Sequence, residues 1–96
     1  MADYVLSNRA DDDLGGIYVY SFREFGEEQA DAYFAKLVAS LNTLAQSPRL
    51  GRSAESLHPG LFRYDCAAHV IFYAETKNGI FVVRILHHGM DVPRHV

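Results

Sequence analysis

The chain has 96 residues, 49% of them hydrophobic and 22% charged, with a formal net charge of -3. That length holds one domain spanning residues 1–96, and that composition belongs to a chain that folds around a core, which excludes a disordered tail and a collagen-like repeat. A protein that grips RNA or DNA through phosphates carries a strong basic excess, which this chain lacks.

The start, MADYVLSNRADDDL, has no basic stretch followed by an apolar run, and no apolar run approaches the roughly 18 residues of a membrane span; the expected location is cytoplasmic. Asp3 to Ser7 alternates as a short strand, and Ser7 or Asn8 suits a helix N-cap. Ala10, Leu14, Ile17, Tyr18, Ser21 and Phe25 then recur at helical spacing, and Gly26 ends that helix. Asp11, Asp12 and Asp13 sit in its opening turns. Consecutive helical residues point about 100° apart, so the three carboxylates do not converge on a cation; they complement the helix dipole and solvate the outer face. Tyr20 and Phe22 fall off the apolar stripe and mark a candidate contact surface.

A second helix begins at Glu27 and Glu28, buries Ala30, Tyr33, Leu37, Leu41 and Leu44, and stops before Pro48. The two form an αα-hairpin. Residues 49 to 58 are polar and read as a loop ending in the turn dipeptide Pro59-Gly60. Three strands follow, near Leu61 to Cys66, His69 to Glu75 and Ile80 to His87, the last two joined by the hairpin signal Lys77-Asn78-Gly79. The pattern is α+β: a small antiparallel sheet in the order β-α-α-β-β-β, packed on the helical hairpin. VIFYA and IFVVRIL are apolar at nearly every position, so both sheet faces need cover; the hairpin supplies one, and the other is expected to lie open for a partner.

Cys66 is the single cysteine and reads as a small core residue. His69, three positions on, is expected on the opposite strand face from Cys66 and in a structural role. The charge is asymmetric: residues 1 to 48 hold eight acids and three bases, residues 49 to 96 four acids, six bases and all five histidines. The tail VRILHHGMDVPRHV is the richest segment in candidate chemistry. His87 and His88 are adjacent in a strand and point to opposite faces, so at most one joins His95, no carboxylate or cysteine completes a zinc spacing, and neither metal nor cofactor is expected. Histidine with arginine can also cleave RNA without metal, for which His69, Arg84, His87, His88 and Arg94 are the supply. Pro93 argues against a regular helix or strand through the tail, which is expected to be ordered but exposed.

YVLSNRADDDL, YVYSFREFGEEQADAYFAKL, LAQSPRLGR, LHPGLFRYDCAAHVIFY and VVRILHHGMD, in that order, give the whole chain a marked resemblance. It resembles the ParE-type toxins of ParDE toxin–antitoxin systems, in the RelE/ParE superfamily. The resemblance implies a bacterial toxin that acts on DNA gyrase and is neutralised in a hetero-oligomer by a ParD-like antitoxin, with no membrane partner and no sequence-specific nucleic-acid binding by the toxin alone. The RelE branch shares the fold and cuts mRNA on the ribosome, which is the alternative function. At the position of that branch's strand arginine this chain has Val70, and in place of its basic tail with an arginine and often a tyrosine or histidine it has His87 to Val96, which has no tyrosine and one arginine. No catalytic residue is therefore assigned. His87, His88, Met90, Arg94 and His95 are assigned to target binding, Met90 as a soft apolar contact and Arg94 as a cationic one. A third reading is a member that keeps the antitoxin-binding fold without toxicity.

Overall fold

A computed structural model of the chain describes residues 2–96. Strand β1 (Asp3–Leu6) leads into helices α1 (Asn8–Phe25) and α2 (Glu27–Gln46), a two-residue strand β2 (Arg52–Ser53), strands β3 (Leu61–Cys66), β4 (His69–Thr76) and β5 (Gly79–His87), and a one-turn helix α3 (Val92–His95). The sheet order is β1-β5-β4-β3-β2. Its β2 to β5 portion is antiparallel, while β1 lies parallel to β5 at the edge, Asp3 opposite Gly79 and Leu6 opposite Val82.

The helix boundaries follow from their caps. The Ser7 hydroxyl accepts the Ala10 N–H at 3.0 Å and donates to the Val83 carbonyl at 2.7 Å, so one side chain starts α1 and ties that start to β5. Gly26, at φ 89°, ends α1 and starts α2 within one residue; its N–H reaches the Phe22 carbonyl, and its own carbonyl accepts from Ala30. The hairpin packs on one face of the sheet. Leu37, Leu41 and Leu44 of α2 and Ala10 and Leu14 of α1 close over Ile71, Tyr73, Ile80, Val82 and Ile85. Phe25, expected on this stripe, is instead exposed, because the helix ends before the sheet can cover it.

Tyr73 is wholly buried, and its hydroxyl needs partners. It donates to the Pro48 carbonyl at 2.7 Å and accepts the Gly51 N–H at 3.0 Å, which explains the Ser-Pro-Arg-Leu-Gly turn after α2. A Cβ at position 51 would collide with that hydroxyl and with the Arg63 carbonyl, so only glycine lets the turn approach. Part of the segment read as loop is the short edge strand β2, where Arg52 and Ser53 pair with Arg63 and Phe62.

The far face of the sheet carries Leu61, Val70, Phe72 and Leu86, and it is not open. Ala54 and Leu57 cover it from the loop, and Val92 and Val96 cover it from the tail. Phe72 has no exposed surface. The expectation of an uncovered apolar face therefore fails, because two short segments that look polar in sequence place single apolar side chains on it. The tail also turns through one helical turn at Val92–His95, where Pro93 stands in the first turn and its missing N–H leaves no bond unmade.

Candidate functional site

The site is set by a register shift. Phe72 pairs with Arg84, but the next residue, Tyr73, pairs with Val82, so Val83 is an extra residue in β5. A β-bulge of this kind reverses the alternation beyond it. Ile85 and His87 consequently turn to the helix side while Leu86 joins the far-side core. His87 then stands opposite His69 of β4, the two rings edge to face with centroids 5.4 Å apart.

His69 is held by α2. The Tyr33 hydroxyl lies 2.7 Å from His69 Nδ1, accepts the Ala68 N–H at 3.2 Å and is 3.3 Å from the Cys66 carbonyl. The hydroxyl has one hydrogen to give, and whether it goes to Nδ1 or to the Cys66 carbonyl follows the tautomer of the His69 ring. Burial holds the His69 pKa below its ordinary value, and the neighbouring His87 and His88 add to that effect. Cys66 and His69 are a cross-strand pair on the same face, not on opposite faces, because a tight turn at Ala67-Ala68 separates them. Ala67 adopts φ 51°, a left-handed conformation that an alanine resists. His88 secures the turn: its N–H donates to the Ala68 carbonyl at 3.1 Å and its ring Nε2 lies 3.1 Å from the Ala67 carbonyl.

Between α1 and this end of β4 and β5 lies a cleft of about 510 Å³. Ile17, Tyr20, Ile85 and Met90 give it apolar walls, His69 and His87 line it, and Asp12 and Asp13 make its polar side. A second hollow of about 360 Å³ shares Tyr20, His69 and His87 and runs on to Phe25, Gln29 and Tyr33. Tyr20 is 61% exposed, standing between the two.

Asp13 does not solvate an outer face. Its carboxylate takes the Arg84 guanidinium in two bonds of 2.8 Å and accepts the Ile85 N–H at 3.0 Å, at the edge of β5 where β1 has ended. Both side chains are largely buried, 12% exposed for Arg84 and 15% for Asp13. The Asp13 hydrogen bonds hold the Arg84 pKa above its ordinary value. The remaining arm of Arg84 donates to the His95 carbonyl at 3.1 Å, in α3.

Among the five residues assigned from sequence, the structure thus brings His87 and Met90 together in the cleft. The His88 ring is exposed and folded onto the β3–β4 turn. Arg94 is exposed on α3, and His95 is half-buried with its carbonyl held by Arg84. Sequence reading missed Asp12, Asp13, Ile17 and Tyr20 as cleft residues. Tyr20 was visible as an aromatic off the stripe; Asp13 carried no such signal, since its partner lies 71 positions away. Among the described residues no three histidine, cysteine, aspartate or glutamate side chains are placed to hold a metal ion.

This architecture, a helical hairpin backing a sheet in the order β1-β5-β4-β3-β2, has a counterpart among solved structures. A solved structure titled "Chromosomal ParDE TA system from P. aeruginosa" superposes with a TM-score of 0.76 at 21% identity, covering 91% of this chain and 96% of that one. At that identity the likeness speaks for fold. Relatedness in sequence is closer: Toxin ParE1 of Mycobacterium tuberculosis is 35% identical over 94 residues, 97% of this chain and 96% of the relative. Toxin ParE1 of Caulobacter vibrioides is 35% identical over 96 residues, covering 100% and 99%, and Toxin ParE of Escherichia coli is 34% identical over 93 residues, covering 96% and 90%. The family described as "ParE toxin of type II toxin-antitoxin system, parDE" matches residues 4–92. The chain belongs to the ParE toxin family of type II toxin–antitoxin systems.

Proposed function

We propose that this toxin poisons DNA gyrase in the bacterial cytoplasm by binding it, without chemistry of its own, and that a ParD-like antitoxin neutralises it. His87, His88, Met90, Arg94 and His95 form the target-binding surface, with Met90 and Arg94 as its principal contacts. The observation that carries this reading is the character of the cleft beside them. Its walls are apolar, its charged groups are Asp12 and Asp13, and the neighbouring guanidinium, Arg84, is already engaged by Asp13. Such a surface suits a protein partner and repels a phosphodiester backbone.

The second reading, a metal-independent endoribonuclease, draws on the His69–His87 pair, which offers two imidazoles within one cleft. Cleavage also needs a cation for the charge that develops on phosphorus, and the cleft supplies carboxylates there. Binding is therefore favoured over catalysis. Purified toxin added to gyrase, ATP and supercoiled plasmid should yield linear DNA after protein is stripped, while ribosome-bound mRNA mapped by primer extension should show no new ends. The reverse pair of results would replace the first reading by the second.

The antitoxin is expected to enter along the two hollows flanking Tyr20 and to bury the exposed aromatic side chains there, Tyr20 and Phe25. A segment that orders on binding stabilises the toxin by mass action. Saturating antitoxin should raise the toxin's melting temperature, and Tyr20→Ala should reduce that rise.

A further inference from the structure

The proposed target-binding residues lie in a segment that has few apolar anchors. From Gly89 onward the tail places Val92 and Val96 on the far-side core, both only partly buried, and its backbone hydrogen bonds after Met90 are local to the tail. Two apolar contacts do not by themselves fix a seven-residue segment whose ordering entropy is on the order of 1–2 kcal/mol per residue. Something else must hold it in one place.

We propose that Asp13 and Arg84 are positioning residues that latch the tail, Met90 to Val96, against the edge of β5, so that helix α1 sets the conformation in which the tail meets its target. The chain of contacts is continuous. Asp13 caps the free edge of β5 through the Ile85 N–H and fixes the guanidinium plane with two parallel bonds. With that plane fixed, the third nitrogen points at the His95 carbonyl in the last turn of the chain. The tail thereby passes round the edge of the sheet, Met90 in the helix-side cleft and Val92 and Val96 on the opposite face. Lysine cannot make this arrangement, because a single ammonium lacks the planar fork that serves both carboxylate oxygens and a carbonyl at once. The latch needs no ligand and no change of charge state.

This inference rests on the tail being the target-binding surface, and two readouts separate it from that reading. In full-length Asp13→Asn and Arg84→Lys proteins, backbone hydrogen exchange at residues 90–96 should rise at least tenfold relative to the parent. Exchange in β4 and α2 should rise only by the factor that the loss of global stability, measured separately in urea, accounts for, and antitoxin binding should persist. Gyrase poisoning should fall with the tail's release, and adding Asp13→Asn to a chain truncated after Gly89 should lower it no further. Arg84→Lys covers the case in which Asp13→Asn fails to fold, since it keeps the positive charge beside Asp13. A tail that stays protected in a folded variant overturns the latch. Exchange that rises equally throughout the domain also overturns it, by reducing the pair to a general stabiliser. A released tail with undiminished poisoning keeps the latch and removes the tail from target recognition.

Discussion

The two faces of the sheet are buried in different ways. On the helix side, side chains from two long helices interdigitate with Ile71, Tyr73 and Val82, and Leu37, Leu41 and Leu44 have no exposed surface. On the far side, Phe72 and Leu86 are buried just as fully, but their cover is Ala54 and Leu57 from a loop and Val92 and Val96 from the tail. The first cover buries its face with residues that take no part in the proposed target-binding surface. The second comes in part from the tail, where Val92 and Val96 cover the sheet while the neighbouring Met90 and Arg94 are proposed to bind a target, so stability and recognition draw on one segment there.

The largest expected effect lies on the helix side. Leu41→Ala removes a fully buried side chain between helix and sheet, and should lower the unfolding free energy in urea by about 3–4 kcal/mol, as large-to-small core substitutions do. Asp13→Ala comes next. It leaves a mostly buried guanidinium without its carboxylate and should cost about 2–4 kcal/mol, less than a fully buried pair because both side chains keep some exposure. A Leu41→Ala protein as stable as its parent would mean that the helical cover is not the principal source of stability.

On the far side the expected changes are smaller and touch activity. Val92 and Val96 are only partly buried, so Val96→Ala should cost no more than about 1 kcal/mol of stability. Met90→Ala and Arg94→Ala should leave folding within about 0.5 kcal/mol of the parent. Each should nonetheless weaken toxicity in proportion to lost target binding, about 1–2 kcal/mol apiece. In an enzyme, by contrast, one substitution among His87, His88 and Arg94 would abolish turnover with binding unchanged, and double substitutions would be strongly non-additive.

The fold was legible in the sequence wherever the signal was periodic or local. The stripes of α1 and α2, the caps at Ser7 and Gly26, and the Asn78-Gly79 turn all depend on neighbours a few residues away. What could not be read depends on distant partners. The bulge at Val83 is decided by how β5 meets β4, and without it His87 would face the other side of the sheet. Asp13 reads as one of three acids in a first turn until Arg84 is placed beside it. Val92 and Val96 are isolated apolar residues around a proline, with no period to show which surface they cover. The candidate site was therefore half visible: the tail stood out by composition, but its cleft, assembled from α1 and the re-aimed end of β5, did not.

The β3–β4 turn, at one end of the sheet, gives two further effects of about 1 kcal/mol or less. His69, held neutral by burial, should bind protons less readily in the folded chain than in the unfolded one, where its pKa is about 6.5. Its contribution to stability is thus complete well above that value and lost as pH falls through it toward the lower folded pKa. Denaturation midpoints measured between about pH 7.5 and about pH 5.5 should drop, and His69→Gln should show a shallower drop from a lower start, by about 1 kcal/mol, for the weakened Tyr33 bond. Ala67→Gly, relieving the left-handed strain, should be stabilising by about 0.5 kcal/mol.

Gyrase poisoning by a chain ending at Gly89 tests most directly whether the far-side strap is the recognition surface. That chain keeps every residue of the helix-side core and loses Val92, Val96 and the His95 carbonyl, so it should fold with modestly reduced stability and still bind antitoxin. With gyrase and supercoiled plasmid it should then yield no linear DNA above background, at concentrations where the full chain linearises the plasmid. A folded, antitoxin-binding truncated chain that linearises plasmid as well as the full chain would place the recognition surface elsewhere, in the helix-side cleft that remains.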